Sequence, residues 1–351
     1  MIPVDFLLTV LVVEMATVGV CLTAVALHAL GLWHRTQADA PLLVRGRAAL
    51  SKAIAGDPDA NEGVAELRRL PSRVQSEVVD QLAVSVTGEE GRRMTGVAEA
   101  LGLAASARRR CRSRWWWRRL QGAYRLNVHG GGDEALPALF RDPHPAVRAQ
   151  VIEWAGDAQR ADLAADLVAA LHDSSALCRH TAADSILRGG ASMVDALAEE
   201  LSSYGGQQQA DLLVVLARRP DPRYRRAALA AVADDLPALR VAVADLLGGV
   251  GGAEASEALL GLLTDPDAAV RAAAADGIRR LRLEDAVPSL APLLRDESFE
   301  VRRAAGAALA GVGPGGILLL RHYRSDADPF AADMANHSLD IASLRHPGDE
   351  D

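Results

Sequence analysis

Apolar positions along this chain fall into two regimes. From Phe6 to Trp33 they are nearly continuous: the 28-residue stretch has no Lys, Arg, Asn, Gln or Pro and is interrupted only by Thr9, Glu14, Thr17, Gly19, Thr23, His28 and Gly31. About 20 such residues cross a bilayer as a helix, so the pattern predicts one transmembrane helix. Glu14, Thr17, Cys21, Ala24, His28 and Gly31 are spaced 3, 4, 3, 4 and 3, which puts them on one helical face. Small and polar residues gathered on one face suit packing against another membrane helix. A single-pass anchor tolerating scattered polar residues is the competing reading.

The second regime begins near residue 115. There an apolar residue followed by arginine opens a helix, with apolar or small residues at −1, +3, +6, +7 and +10 from the arginine, one face of a helix. Arg148, Arg179, Arg240, Arg271 and Arg302 mark these openings in steps of 31, 61, 31 and 31, the long step spanning a degenerate copy centred near Gln209. Trp117-Arg118 lies 30 residues upstream, and an aspartate stands six residues before the arginine at Asp142, Asp173, Asp234, Asp265 and Asp296. First helices are expected at Ala135 to Phe140, Leu163 to Leu171, Val194 to Leu201, Tyr224 to Ala233, Ala258 to Leu263 and Val287 to Leu294. Gly156, Gly248 and Gly311 are expected as left-handed caps where the second helices end.

A period near 30, with units too small to bury a core alone, predicts stacking. Leu and Ala dominate the apolar half and aromatics are 4%, which favours an all-α fold. Leu-Leu-Thr-Asp-Pro-Asp-Ala-Ala-Val-Arg (262 to 271) and Leu-Leu-Arg-Asp-Glu-Ser-Phe-Glu-Val-Arg (293 to 302) resemble short bacterial HEAT repeats of about 30 residues. The resemblance covers 115 to 345 and implies an α-solenoid of stacked helical hairpins preceded by one transmembrane helix. The expected division is 1–34 anchor, 35–114 linker and irregular capping helices, 115–345 HEAT-like repeats and 346–351 acidic tail. Within 35–114 a short helix is expected at Leu42 to Ile54, with others at Val64 to Leu82 and Gly91 to Leu103.

Charge refines this picture. Arg35, Arg45, Arg47 and Lys52 follow the apolar span while Asp5 alone precedes it, so the positive-inside rule places the body in the cytoplasm and the anchor in the plasma (inner) membrane. A cleaved signal peptide would want a basic N-terminal region and a shorter apolar stretch. Lys52 is the one lysine among 38 basic residues, a bias that fits a GC-rich bacterial genome. Three cysteines without paired spacing imply no disulfide framework.

Several residues are candidates for contact. The repeat arginines Arg118, Arg148, Arg179, Arg240, Arg271 and Arg302 are expected to be structural, bonding a turn aspartate or carbonyls of a neighbouring unit. Glu153, Asp184, Asp245 and Asp276, each five residues after one of them, form an acidic row on the expected inner surface. That row would receive a basic partner segment or be a solvated ladder paired between repeats. Net charge is −8, yet residues 108 to 125 carry eight arginines and no acid. There Arg108, Arg109, Arg110, Arg112, Arg114, Trp115 and Trp116 would meet a membrane surface or a partner, or the segment is a repeat helix with Trp117, Leu120 and Ala123 inward. Nucleic acid is the least favoured ligand, because a membrane tether works against it.

No histidine is followed by glutamate, no Cys-x-x-Cys or phosphate loop occurs, and no catalytic, metal or cofactor residue is expected. The function expected is that of a membrane scaffold or adaptor that binds a protein partner, through its glutamate-to-histidine stripe (Glu14, Thr17, Cys21, Ala24, His28) and its repeat surface, with a small-molecule substrate disfavoured. The resemblance leaves an alternative: an accessory subunit of a membrane polysaccharide glycosyltransferase, or a bilin-lyase-like protein.

Overall fold

The computed structural model describes residues 4–55, 60–83, 86, 88–130, 132 and 135–345, so the acidic tail 346–351 lies outside the described residues. The side chains of residues 4–12, His28, Leu32, Arg35, Thr36 and Arg345 also lie outside them, and with these the expectations placed on Thr9, His28 and Arg35. Secondary structure among the described residues is helical throughout, and the chain divides into two compact units, Met1–Arg141 and Asp142–Asp351.

The first unit is built on α1, Val4–Ala55, a helix of 52 residues with Pro41 inside it. The separate helix expected at Leu42 to Ile54 is therefore a continuation of the apolar span. Pro41 withdraws one amide from the ladder, and the flanks are held by side chains of α3 (Ser72–Ala83): Arg73 forks Asp39 at 2.7 and 2.9 Å, and Arg47 donates to Gln81 at 2.7 Å. The segment expected as one helix from Val64 to Leu82 is split by Pro71 into α2 (Ala60–Arg68) and α3. α4 (Gly88–Ala100), α5 (Leu103–Cys111), α6 (Trp116–His129) and α7 (Leu136–Phe140) complete the unit. Leu50, Ile54, Leu67, Val78, Met94 and Val97 form its core. Residues Val13–Gly31 of α1 are long and apolar enough to cross a bilayer, with a mean hydropathy of 1.7 and none of the span buried.

The second unit stacks helices in two layers. One layer contains α8 (Pro145–Asp157), α10 (Ala176–Arg188), α12 (Gly206–Leu216), α14 (Pro237–Val250), α16 (Ala268–Leu281), α18 (Phe299–Val312) and α20 (Pro329–Arg345), each packed on the next. Shorter helices alternate with them: α9 (Ala164–Ala170), α11 (Gly190–Glu200), α13 (Arg225–Ala230), α15 (Ala253–Leu262), α17 (Val287–Leu290) and α19 (Pro314–Tyr323). Each exists because its apolar residues fall on one face and bury against the next repeat, as Val270, Ala274 and Ile278 do in α16.

Gly156, Gly248 and Gly311 are helical rather than left-handed caps. Positive φ falls instead on Gln159, Gly251 and Gly313, two or three residues later, and on Arg282 at the end of α16. Gly248 serves close approach: a Cβ there would sit 2.5 Å from the Cα of Gly277 on the neighbouring helix.

Candidate functional site

The repeat arginines tie the stack together. The guanidinium of Arg271 donates from Nε and Nη2 to both oxygens of Asp296, each at 2.8 Å, and from Nη1 to the carbonyls of Asp265 (2.9 Å) and Pro266 (3.1 Å). Arg148 grips Asp173 and Arg240 grips Asp265 in the same bidentate way, each also reaching the carbonyl of its own turn aspartate. Each gripped carboxylate in turn accepts the amide two residues on, as Asp296 does from Ser298 at 2.9 Å. One residue thus closes the turn that leads into the next helix and is clamped by the preceding repeat. The arginine was expected to choose between aspartate and carbonyl; it takes the carboxylate of the next repeat and the carbonyl of its own.

The electrostatics follow. Arg148 and Arg240 hold Asp173 and Asp265 below the usual carboxylate range. Burial pushes Asp296 up, but Arg271 and the Ser298 amide outweigh it and the carboxyl also lies low.

The ladder has a gap. Arg179 bonds the carbonyls of Asp173 (2.8 Å) and Ser174 (3.1 Å), but where a carboxylate would come one period later stands Tyr204, whose hydroxyl donates to Glu200 at 3.0 Å. Burial, then Glu200, push that phenol up to about 12. At the far end Arg302 makes only the carbonyl bonds, to Asp296 and Glu297, and lies 4.9 Å over the Phe330 ring.

At the upstream end the structure corrects the register. Arg119, not Arg118, makes the paired bonds to carbonyls five and six residues back, those of Arg114 and Ser113. Turning α6 by that one residue places Gly122, Ala123, Leu126 and His129 inward and leaves Trp117 48% exposed rather than packed. A serine six residues before Arg119 is the sequence signal that locates this register.

The acidic row divides into a closed and an open part. Asp245 accepts from Arg280 at 2.8 Å, and Asp276 accepts from Arg279 at 2.6 Å with Arg280 3.4 Å away, so both are paired within the stack. Burial pushes Asp245 up against the pull of Arg280. Glu153 and Asp184 instead line an open groove of about 630 Å³ between α8 and α10. Gln150, Leu177, His180 and Thr181 share it, with Arg188 and Arg218 also on its wall, and Leu177 is 53% exposed. Glu153 forms no ion pair among the described residues, while Asp184 lies 3.7 Å from Arg188, which also reaches Asp157 at 3.4 Å. Carboxylates, an imidazole, an amide and an exposed leucine on a shallow wall can receive a basic or amide-bearing peptide segment. Among the described residues no three His, Cys, Asp or Glu side chains converge to hold a metal ion.

On α1, Glu14, Thr17, Cys21 and Ala24 are all exposed. The Thr17 hydroxyl donates to the Val13 carbonyl at 2.7 Å, so it is satisfied by its own helix and asks for no partner. In the basic segment Arg109, Arg112, Arg114, Trp115 and Trp116 are exposed, whereas Arg108 and Arg110 are half-buried.

Comparison with known proteins agrees with the repeat. Residues 229–310 match the family model for HEAT repeats. No curated protein matches this chain. Among solved structures, human deoxyhypusine hydroxylase in complex with glycerol is similar at 17% identity, covering 87% of this chain and 98% of its own, with a TM-score of 0.31. An engineered protein is similar at 17% identity, covering 85% of this chain and 94% of its own, with a TM-score of 0.38. The match at 229–310 lies within the stack in which arginine-to-turn bonds recur from Arg148 to Arg302, and it is this stretch of the chain that is similar to HEAT repeats.

Proposed function

We propose that this chain is a non-catalytic membrane scaffold: Val13–Gly31 of α1 holds it in a bilayer, the helical body lies in the cytoplasm, and the groove between α8 and α10 receives a protein partner. HEAT-repeat proteins commonly act in protein–protein interactions. The observation that carries the reading is the contrast along the row of equivalent carboxylates. Asp245 and Asp276 are paired with arginines of the stack, while Glu153 forms no ion pair among the described residues and shares an open wall beside exposed Leu177 with Asp184, itself 3.7 Å from Arg188. A basic or amide-rich segment would pair with the carboxylates and cover the leucine.

A photo-crosslinking amino acid placed at Leu177 or His180 in intact membranes tests this, with Glu257 on α15 as the control site. One adduct of the same mass should form from both groove positions, be absent from Glu257 and disappear with Glu153→Arg. Equal adducts at all three sites, or none in the groove, would overturn the assignment.

A further inference from the structure

The α5–α6 turn carries a surface that the partner groove does not use. Trp115, Trp116 and Trp117 are 40%, 39% and 48% exposed, and Tyr124 nearby is 42% exposed. The indoles form one cluster: Trp115 and Trp117 stack with centroids 4.7 Å apart, Trp116 meets Trp117 edge-on at 6.2 Å, and the Arg114 guanidinium lies 4.5 Å over Trp115. Around them are eight arginines between 108 and 125 and no acid. Asp80 of α3 reaches this set, 3.7 Å from Arg125 at its inner end. Burial, then Arg125 and Arg118, push Arg110 below its ordinary value, against a smaller pull from Asp80.

Exposed indoles cost solvation in water, and clustered guanidiniums repel one another; an anionic lipid–water interface relieves both. Phosphates there accept guanidinium bonds while indoles settle at headgroup depth. We propose that the Arg109, Arg112, Arg114 and Arg118 guanidiniums with the three indoles bind anionic phospholipid headgroups of the bilayer that holds α1, a proposal resting on the anchor reading above. Nucleic acid offers phosphate and stacking too. The lipid is favoured by placement: this unit packs along the part of α1 that follows the span, roughly 33 Å of helix from Trp33 to Ala55 at 1.5 Å per residue. A tether of that order makes the headgroups a partner at high effective concentration.

The test reconstitutes the full chain in nanodiscs of brominated phosphatidylcholine, with or without brominated phosphatidylglycerol. Tryptophan emission of the natural chain minus that of the Trp115→Phe, Trp116→Phe, Trp117→Phe variant isolates the three indoles from Trp33 and Trp154. The difference signal should lose most of its intensity in anionic discs. It should keep that intensity in neutral discs, and in anionic discs when Arg109, Arg112, Arg114 and Arg118 are all changed to Gln. Should the Gln variant lose its far-ultraviolet helicity, the anionic-against-neutral comparison on the natural chain decides alone. A chain that does not enter the discs overturns the anchor reading and this proposal together. An incorporated chain with unquenched indoles, or with equal quenching in both discs, overturns the lipid proposal and leaves the anchor standing. Indole emission that responds to single-stranded RNA but not to phosphatidylglycerol overturns it in favour of nucleic acid.

Discussion

Arg271→Ala measures what one rung of the ladder is worth. The substitution removes two charge-assisted bonds to Asp296 and two to turn carbonyls, at a site where the two side chains are only 10% and 9% exposed. Hydrogen bonds to charged groups contribute about 1.5–3 kcal/mol each, and stranding one member of a buried pair costs about 3–5 kcal/mol. The Ser298 amide, 2.9 Å from the stranded carboxylate, and the remaining solvent contact soften the loss, which brings the expected cost to about 3 kcal/mol. Arg302→Ala is the internal comparison. It strands no carboxylate and loses one guanidinium nitrogen shared between carbonyls at 2.7 and 3.0 Å, together with the contact over Phe330, so about 1.5–2 kcal/mol is expected. Urea unfolding of the full chain in detergent, followed by helicity, gives the totals. Amide hydrogen exchange locates the loss, which should concentrate in α16 and the turn before α18, because a repeat array opens locally. In a double-mutant cycle, Asp296→Ala should cost much less once Arg271 is gone, with a coupling of about 1.5–3 kcal/mol. Equal losses for Arg271→Ala and Arg302→Ala, or additive effects in the cycle, would refute the view that the carboxylate clamp carries the rung.

Asp173, Asp265 and Asp296 titrate lower in the folded chain than the unfolded value of about 3.9, so their stabilisation is full above that pH and is lost as pH falls through the folded values. Melting temperature should therefore drop steeply below about pH 4, and Asp296→Asn should flatten that drop. Gly248→Ala forces a Cβ to 2.5 Å from Gly277 and should destabilise by about 1–3 kcal/mol, whereas Gly261→Ala, with nothing within 4 Å, should stabilise by about 0.5–1 kcal/mol; chemical unfolding of both tests the close approach. Protease added to spheroplasts should leave residues 40–351 intact, and digestion from outside would reverse the orientation. Single thiols at positions 14, 17, 21, 24 or 28 should crosslink to a neighbouring membrane helix and those at 12, 19 or 26 poorly; equal yields all round α1 would reduce it to a tether.

Much of the architecture was legible in the residues because both regimes of apolar patterning report local helical geometry. The 31-residue return of arginine after an apolar residue predicted the stack, and the aspartate six residues earlier marked each turn. Boundaries failed where one residue type serves two purposes. A helical glycine and a capping glycine look alike in sequence, so spacing alone marks Gly156 and Gly248 as caps, whereas they are contact points between helices. Pro41 resembles a helix break, yet α1 runs through it. The α6 register was missed by one residue because Trp117-Arg118 imitates the apolar-arginine phrase, while the carbonyl geometry belongs to Arg119.

By itself the sequence determined the helical class, the repeat, the apolar span and the segregation of charge, since each depends on composition or on spacing along one helix. Which carboxylates remain available depended on the tertiary structure. Glu153, Asp184, Asp245 and Asp276 occupy equivalent positions, and only the packing of α14 against α16 brings Arg280 to Asp245, leaving the groove over α8 and α10 open. Pairing between residues 35 apart is a property of how neighbouring helices approach, which local spacing does not encode.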